Sequence, residues 1–174
     1  MDGYQAGTAQ GLASVSQGQS GASETVGLGQ PAPSFTARNQ HGELLTVSSL
    51  RGAPAVIIFY PWAFSSICRD ELAAVRDDHE RFVALGARVL AVSCDAMYTL
   101  RAYADAEGIR FDLLSDHWPH GAIARAYGVF DEQAGCAKRG SFIVDSAGLI
   151  RWLQVDQINE PRELAAVLTA AANL

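Results

Sequence analysis

Ala55–Tyr60 (AVIIFY) is an unbroken apolar run held between Pro54 and Pro61. A strand sends successive side chains to opposite faces, so a run that is apolar at every position has to be covered on both sides. Proline at each end cannot continue a central ladder, which limits the strand to this length. A chain containing such a strand needs packing layers above and below it.

The rest of the pattern supplies those layers. Pro31 and Pro33 punctuate an extended segment that leads into a strand over 34–39; His41-Gly42 is a turn, and 44–47 is a second short strand. After Pro61 a helix begins at Ser65 or Ser66, either of which can cap it. It is expected to run to Gly86, with Leu72, Val75, Phe82, Val83 and His79 on its inward stripe. Residues 88–94 form the next buried strand. Asp95 can cap a helix to about Glu107, stopped by Gly108, and 111–114 is a short strand. Pro119 suits the first turn of a helix through Tyr127. Residues 141–144 and 149–155 flank the turn Asp145-Ser-Ala-Gly148 as a hairpin, and Pro161 opens a last helix with Leu164, Val167, Leu168 and Ala171 on one face. Strands alternating with helices, then a hairpin and a helix, predict an α/β, thioredoxin-like fold: a mixed central sheet flanked by helices on both faces.

The 174 residues suit one domain. Residues 1–26 are rich in Gly, Ser and Gln without a hydrophobic period and are read as a disordered tail; 27–174 are read as the folded domain. A formal net charge of −6 argues against a broad electrostatic hold on nucleic acid or an anionic membrane. No stretch reaches the ~18 apolar residues of a membrane span. The N-terminus lacks the charged and apolar regions of a secretory signal, so the cytoplasm is the expected compartment. Three cysteines, at 68, 94 and 136, are too few and odd in number for a disulfide framework, and free thiols are expected.

The segment Pro61-Trp-Ala-Phe-Ser65-Ser-Ile-Cys68 places one of those thiols in the first turn of a helix. Unpaired N–H groups and the positive end of the helix dipole favour thiolate there, and the thiolate is the nucleophile. Asp70 and Glu71 oppose this, so a cation must come from elsewhere in the fold. By location alone, a buried thiol acting as a small hydrophobe remains about as good a reading.

Pro61, Ser65 and Cys68 match the Pro-x-x-x-Thr/Ser-x-x-Cys motif, and the chain resembles the peroxiredoxin family. Leu113-Leu-Ser-Asp-His-Trp-Pro-His-Gly-Ala122 and Ala126-Tyr-Gly-Val-Phe-Asp-Glu-Gln-Ala-Gly135 resemble its AhpE-type branch, and Arg139-Gly-Ser-Phe-Ile-Val-Asp145 is similar to the strand carrying the family arginine. The resemblance covers about residues 26–174. It implies a thiol-dependent peroxidase needing no metal or other cofactor, acting on hydrogen peroxide or organic hydroperoxides through a sulfenic acid. Cys68 would be the peroxidatic cysteine and Arg139 its cation and peroxide clamp. The Ser65 hydroxyl would bond the peroxide, Pro61 would shield the sulfur, and Glu71 would orient the arginine. A homodimer is implied as well.

Resolution of the sulfenic acid needs a second thiol. Ala73 stands five residues after Cys68, and no cysteine follows Cys136, so two common internal arrangements are absent. An external redoxin or low-molecular-weight thiol is the expected reductant, with Cys136 a candidate resolving cysteine and Cys94 a core residue. His117 and His120 have metal-ligand spacing but lack partners to complete a site. Trp62 and Phe64 either line the pocket or meet a second subunit. A thiol–disulfide oxidoreductase would want Cys-x-x-Cys, and Ser65 and Glu71 occupy the flanking positions. A peroxide sensor shares the first chemical step and differs by stopping after it.

Overall fold

A computed structural model describes residues 26–174. The tail expected over 1–26 therefore lies, apart from Val26, outside the described residues; Val26 packs against the core.

Seven strands form one sheet in the order β2-β1-β5-β4-β3-β8-β9. Its centre is β3 (Ala55–Phe59), β4 (Arg88–Ser93) and β5 (Asp112–Ser115), all parallel. To one side β8 (Arg139–Val144) runs antiparallel to β3 and is followed by β9 (Ile150–Asp156). To the other, β1 (Thr36–Asn39) runs antiparallel to β5, and β2 (Leu44–Thr46) runs antiparallel to β1 and completes the sheet. A small hairpin, β6 (Phe130–Asp131) and β7 (Cys136–Ala137), stands apart from it.

Every residue of β3 is buried, as its composition requires. Val56, Ile58 and Tyr60 point into one core with α1 (Ser66–Asp77), α2 (His79–Ala84), α3 (Met97–Glu107) and α5 (Leu164–Ala172). Ala55, Ile57 and Phe59 point into the other, covered by α4 (Ala122–Ala126) and the N-terminal segment. Helices thus flank both faces of a mixed sheet, as the alternation predicts.

Four local expectations are corrected. The helix after Pro61 breaks at Asp78, whose φ of −92° and ψ of 5° interrupt the helical path; the restart turns Phe82 inward and leaves Val83 58% exposed. Asp95 does not cap α3, where Ala96 holds the N-cap position. Pro119 lies in a turn before α4, which starts at Ala122; Asp116 accepts the Ile123 and Ala124 N–H groups at 2.9 Å and does the work of a cap from a distance. Pro161 precedes α5 by three residues, and Glu163, extended at φ −90° and ψ 95°, holds the N-cap position.

Candidate active site

Cys68 is the third residue of α1 and has 0% exposed surface. The strand β3 delivers the chain to Pro61, itself buried, just beyond the C-terminal end of that strand. The loop then turns sharply: Phe64 adopts φ of +64°, a left-handed conformation rare for a bulky residue. Its ring packs 4.9 Å from that of Tyr103 on α3. Asp95 anchors the same loop by accepting the Ala63 N–H and the Ser93 hydroxyl, each at 2.8 Å.

Arg139 opens β8 and is 2% exposed. Because β8 runs antiparallel to β3, its first residue lies beside the last of β3, where the Cys68 helix begins. Its Nη1 stands 3.4 Å from Cys68 Sγ and donates to Glu71 Oε2 at 2.6 Å, while Nε donates to the Ile158 carbonyl at 2.8 Å. Among the described residues Nη2 makes no hydrogen bond to protein and is left as a donor.

The other oxygen of Glu71 accepts the Arg162 N–H at 2.6 Å. Arg162 buries its guanidinium, donating from Nη2 to the Phe59 carbonyl at 2.7 Å; Nε and Nη1 have no hydrogen-bond partner. Burial pulls that guanidinium below its ordinary pKa, with Glu71 pulling the other way. The site therefore holds two guanidinium groups and one carboxylate. Arg162 is not evident from the sequence as a site residue. A cation just before an apolar helix, where the dipole disfavours positive charge, was the signal available.

Of the expected residues, Cys68, Arg139 and Glu71 come together, and Pro61 is buried in the loop that leads to Cys68. Ser65 takes the N-cap position but makes no capping bond, and its hydroxyl donates to the Trp62 carbonyl at 3.2 Å. Cys136 is fully buried in β7, and burial pushes its thiol to about 11. Cys94 is buried too, its thiol pushed to about 12 by burial first and then by Asp116. All three cysteines are free thiols. His117 and His120 engage the carbonyls of Cys94 and Gly135, and their rings are 6.5 Å apart. Among the described residues no group of three His, Cys, Asp or Glu side chains is arranged to hold a metal ion.

Residues 28–153 match the model of the AhpC/TSA family. The chain belongs to that family and is a peroxiredoxin of the AhpE-like branch. Alkyl hydroperoxide reductase E of Mycobacterium tuberculosis is 44% identical over 139 residues, spanning 79% of this chain and 91% of its own length. The selenocysteine-containing peroxiredoxin PrxU of Peptoclostridium acidaminophilum is 34% identical over 140 residues, 75% of this chain and 68% of its own. The solved structure of Enterococcus faecalis AhpC superposes with a TM-score of 0.75 at 30% identity, covering 84% of this peroxiredoxin and 90% of that chain. These neighbours share the thioredoxin-like α/β fold.

Proposed function

We propose that Cys68 is the sulfur through which this peroxiredoxin, a thiol-dependent peroxidase, reduces peroxides. The observation that carries the assignment is the Arg139 Nη1 at 3.4 Å from Cys68 Sγ inside a buried cluster of two guanidinium groups and one carboxylate. A thiolate at Cys68 brings that cluster to neutrality, which removes the cost of an uncompensated buried cation.

In this reading the thiolate attacks the terminal oxygen of the peroxide in line with the O–O bond. The S–O bond forms as the O–O bond breaks, and the departing oxygen takes up the peroxide's proton to leave as water or an alcohol. Sulfur is oxidised to the sulfenate, which takes a proton from solvent to become sulfenic acid, and the peroxide is reduced. Arg139 Nη2 meets the negative charge that grows on the departing oxygen. Glu71 and the Ile158 carbonyl hold the guanidinium fixed, so little reorganisation accompanies the step. Pro61 walls off bulk water. Ser65 serves as a peroxide ligand once its hydroxyl turns from the Trp62 carbonyl.

An external thiol, a redoxin or a low-molecular-weight one, completes the cycle by forming a mixed disulfide with Cys68 and releasing water; a second thiol frees the enzyme. The elevated thiol of Cys136 supports this over internal resolution, since a neutral, buried sulfur is a poor nucleophile near neutral pH. The free state of all three cysteines fits a reducing compartment, the cytoplasm. A homodimer is favoured by the exposed aromatics: Trp118, 85% exposed, and Tyr98 rim a groove of about 430 Å³ with Leu44, and Trp62 and Phe64 lie exposed in the active loop.

Stopped-flow Trp fluorescence with hydrogen peroxide tests the assignment. The parent is expected to change rapidly with one equivalent and Cys68→Ser not at all; an equal response from Cys68→Ser defeats it. A disulfide between Cys68 and Cys136 in the peptide map would overturn the external-reductant reading.

A further inference from the structure

Asp95 stands just before α3, where a carboxylate ordinarily caps the first turn, yet Ala96 takes the N-cap position and α3 makes no side-chain capping bond. The carboxylate is directed elsewhere. Its Oδ2 accepts the Ala63 N–H and the Ser93 hydroxyl, each at 2.8 Å, and the Asp95 carbonyl accepts the Ser115 hydroxyl at 2.7 Å. Ser93 ends β4 and Ser115 ends β5, so two neighbouring strands fix Asp95 while it reaches across to the loop that follows β3.

The other fastenings of that loop are weaker. The Ser65 hydroxyl closes it onto the Trp62 carbonyl at 3.2 Å, and the exposed Phe64 rests its ring 4.9 Å from that of Tyr103. Phe64 itself holds φ of +64°, a conformation that persists only where the surroundings impose it. The helix α1 starts without a capping bond, so its first turn, which carries Cys68, is steadied through the loop before it. Of these contacts only the bond from Ala63 to Asp95 engages a charged group, and bonds of that kind are the stronger ones.

We propose that Asp95 is a positioning residue that sets how often the first turn of α1 opens. Its carboxylate holds the loop, and with it Cys68, closed against Arg139, where the sulfur meets a small peroxide but not a bulky thiol. This rests on Cys68 being the peroxide-reducing sulfur, as set out above. Recycling brings a second sulfur onto Cys68 as the S–O bond of the sulfenic acid breaks and the oxygen leaves as water. A reductant too large for the closed site reacts in proportion to the open fraction. Loss of the tether therefore speeds bulky sulfur reagents and slows peroxide, because open molecules hold Cys68 away from Arg139.

The experiment follows two reactions of the reduced full chain, of Asp95→Ala and of Asp95→Asn. Dithiobis(nitrobenzoate), a bulky aromatic disulfide, is attacked by a cysteine thiolate to give a mixed disulfide and a coloured thiolate, and peptide mass assigns each label to its cysteine. Stopped-flow Trp fluorescence gives the rate constant with hydrogen peroxide. In Asp95→Ala, labelling at Cys68 should quicken by about 10- to 100-fold, the scale of a lost hydrogen bond to a charged group, with Cys136 unchanged and the peroxide reaction slower. Asp95→Asn keeps an oxygen for the Ala63 N–H and should fall between Asp95→Ala and the parent. Labelling of Cys68 in Asp95→Ala at the parent's rate, an equal rise at Cys136, or a faster peroxide reaction each overturns the role of Asp95 alone. A parent in which peroxide leaves Cys68 unoxidised overturns the assignment of Cys68, and the recycling role of Asp95 with it, even where the labelling rates differ as expected.

Discussion

Arg162 meets Glu71 through its backbone N–H, 2.6 Å from Oε1, while its guanidinium Nε stays 3.8 Å from the same oxygen. The guanidinium is thus stationed in the site as a charge more than as a hydrogen-bond partner. One carboxylate sits between two buried cations, and the sulfur of Cys68 adjoins the one that Glu71 grips at 2.6 Å.

Glu71→Gln should be costly for folding and for chemistry together. It removes the one carboxylate that both guanidinium groups share, and stripping one side of a buried ion pair typically costs about 3 kcal/mol or more. Urea unfolding of the reduced protein checks this, alongside a slower reaction with peroxide as Arg139 loses its anchor. A loss within the noise of the measurement would contradict the charge arrangement.

Much of this site is legible in the sequence. Pro61, Ser65 and Cys68 lie within eight residues of one another, so their grouping follows from the motif and from the strand-to-helix order. Arg139 is 71 residues from Cys68 and is placed by resemblance, yet the antiparallel pairing of β8 with β3 gives it a physical reason to be there. Arg162 carries only a weak local signal, because its position depends on a stretch ahead of α5 whose N–H is bound by Glu71 from a distant helix. The break at Asp78 escapes the hydrophobic period, since Phe82 fits the inward stripe of one long helix or of two short ones. The cap of α4 is supplied by Asp116, too far upstream for a local capping signal.

Arg139→Lys keeps the charge and loses the planar set of donors that reaches Cys68, Glu71 and the Ile158 carbonyl at once. The second-order rate constant with hydrogen peroxide is expected to fall by about 10²–10³-fold, the range for removing one preorganised donor from a developing anion. Stopped-flow fluorescence measures it directly. A drop of less than a few-fold would assign the clamp to another residue.

Gly140 follows Arg139 and has no room for a side chain. A Cβ there would meet Val129 Cγ1 at 2.8 Å and Phe142 Cε2 at 3.0 Å. Gly140→Ala should therefore destabilise the fold by about 1–3 kcal/mol through overpacking and slow the peroxide reaction by shifting its neighbour. A lowered Tm with a normal rate constant would show that the strain is absorbed away from Arg139.

Burial raises the thiols of Cys94 and Cys136 from 9.0 to about 12 and about 11. The folded state holds these protons more tightly than the unfolded chain. Their contribution to stability is complete below the unfolded value and is lost as pH climbs through the folded ones. Between pH 9 and about pH 11 each group adds up to about 1.4 kcal/mol of lost stability per pH unit. Urea titrations over that window should show a shallower decline for Cys94→Ala than for the parent, and identical slopes would refute the assignment.

Cys68 has no surface of its own. If Cys68 is the reacting sulfur, hydrogen peroxide is slender enough to travel down to it, whereas a bulkier thiol reductant has to present its own sulfur and would need the start of α1 to fray. The oxidising visit wants that helical turn firm; the recycling visit wants it loose. The cap that Ser65 leaves unmade keeps the turn within reach of both demands. Firming it would yield a protein hardier to heat and slower to be recharged, so durability and throughput are traded against each other at a single turn of helix.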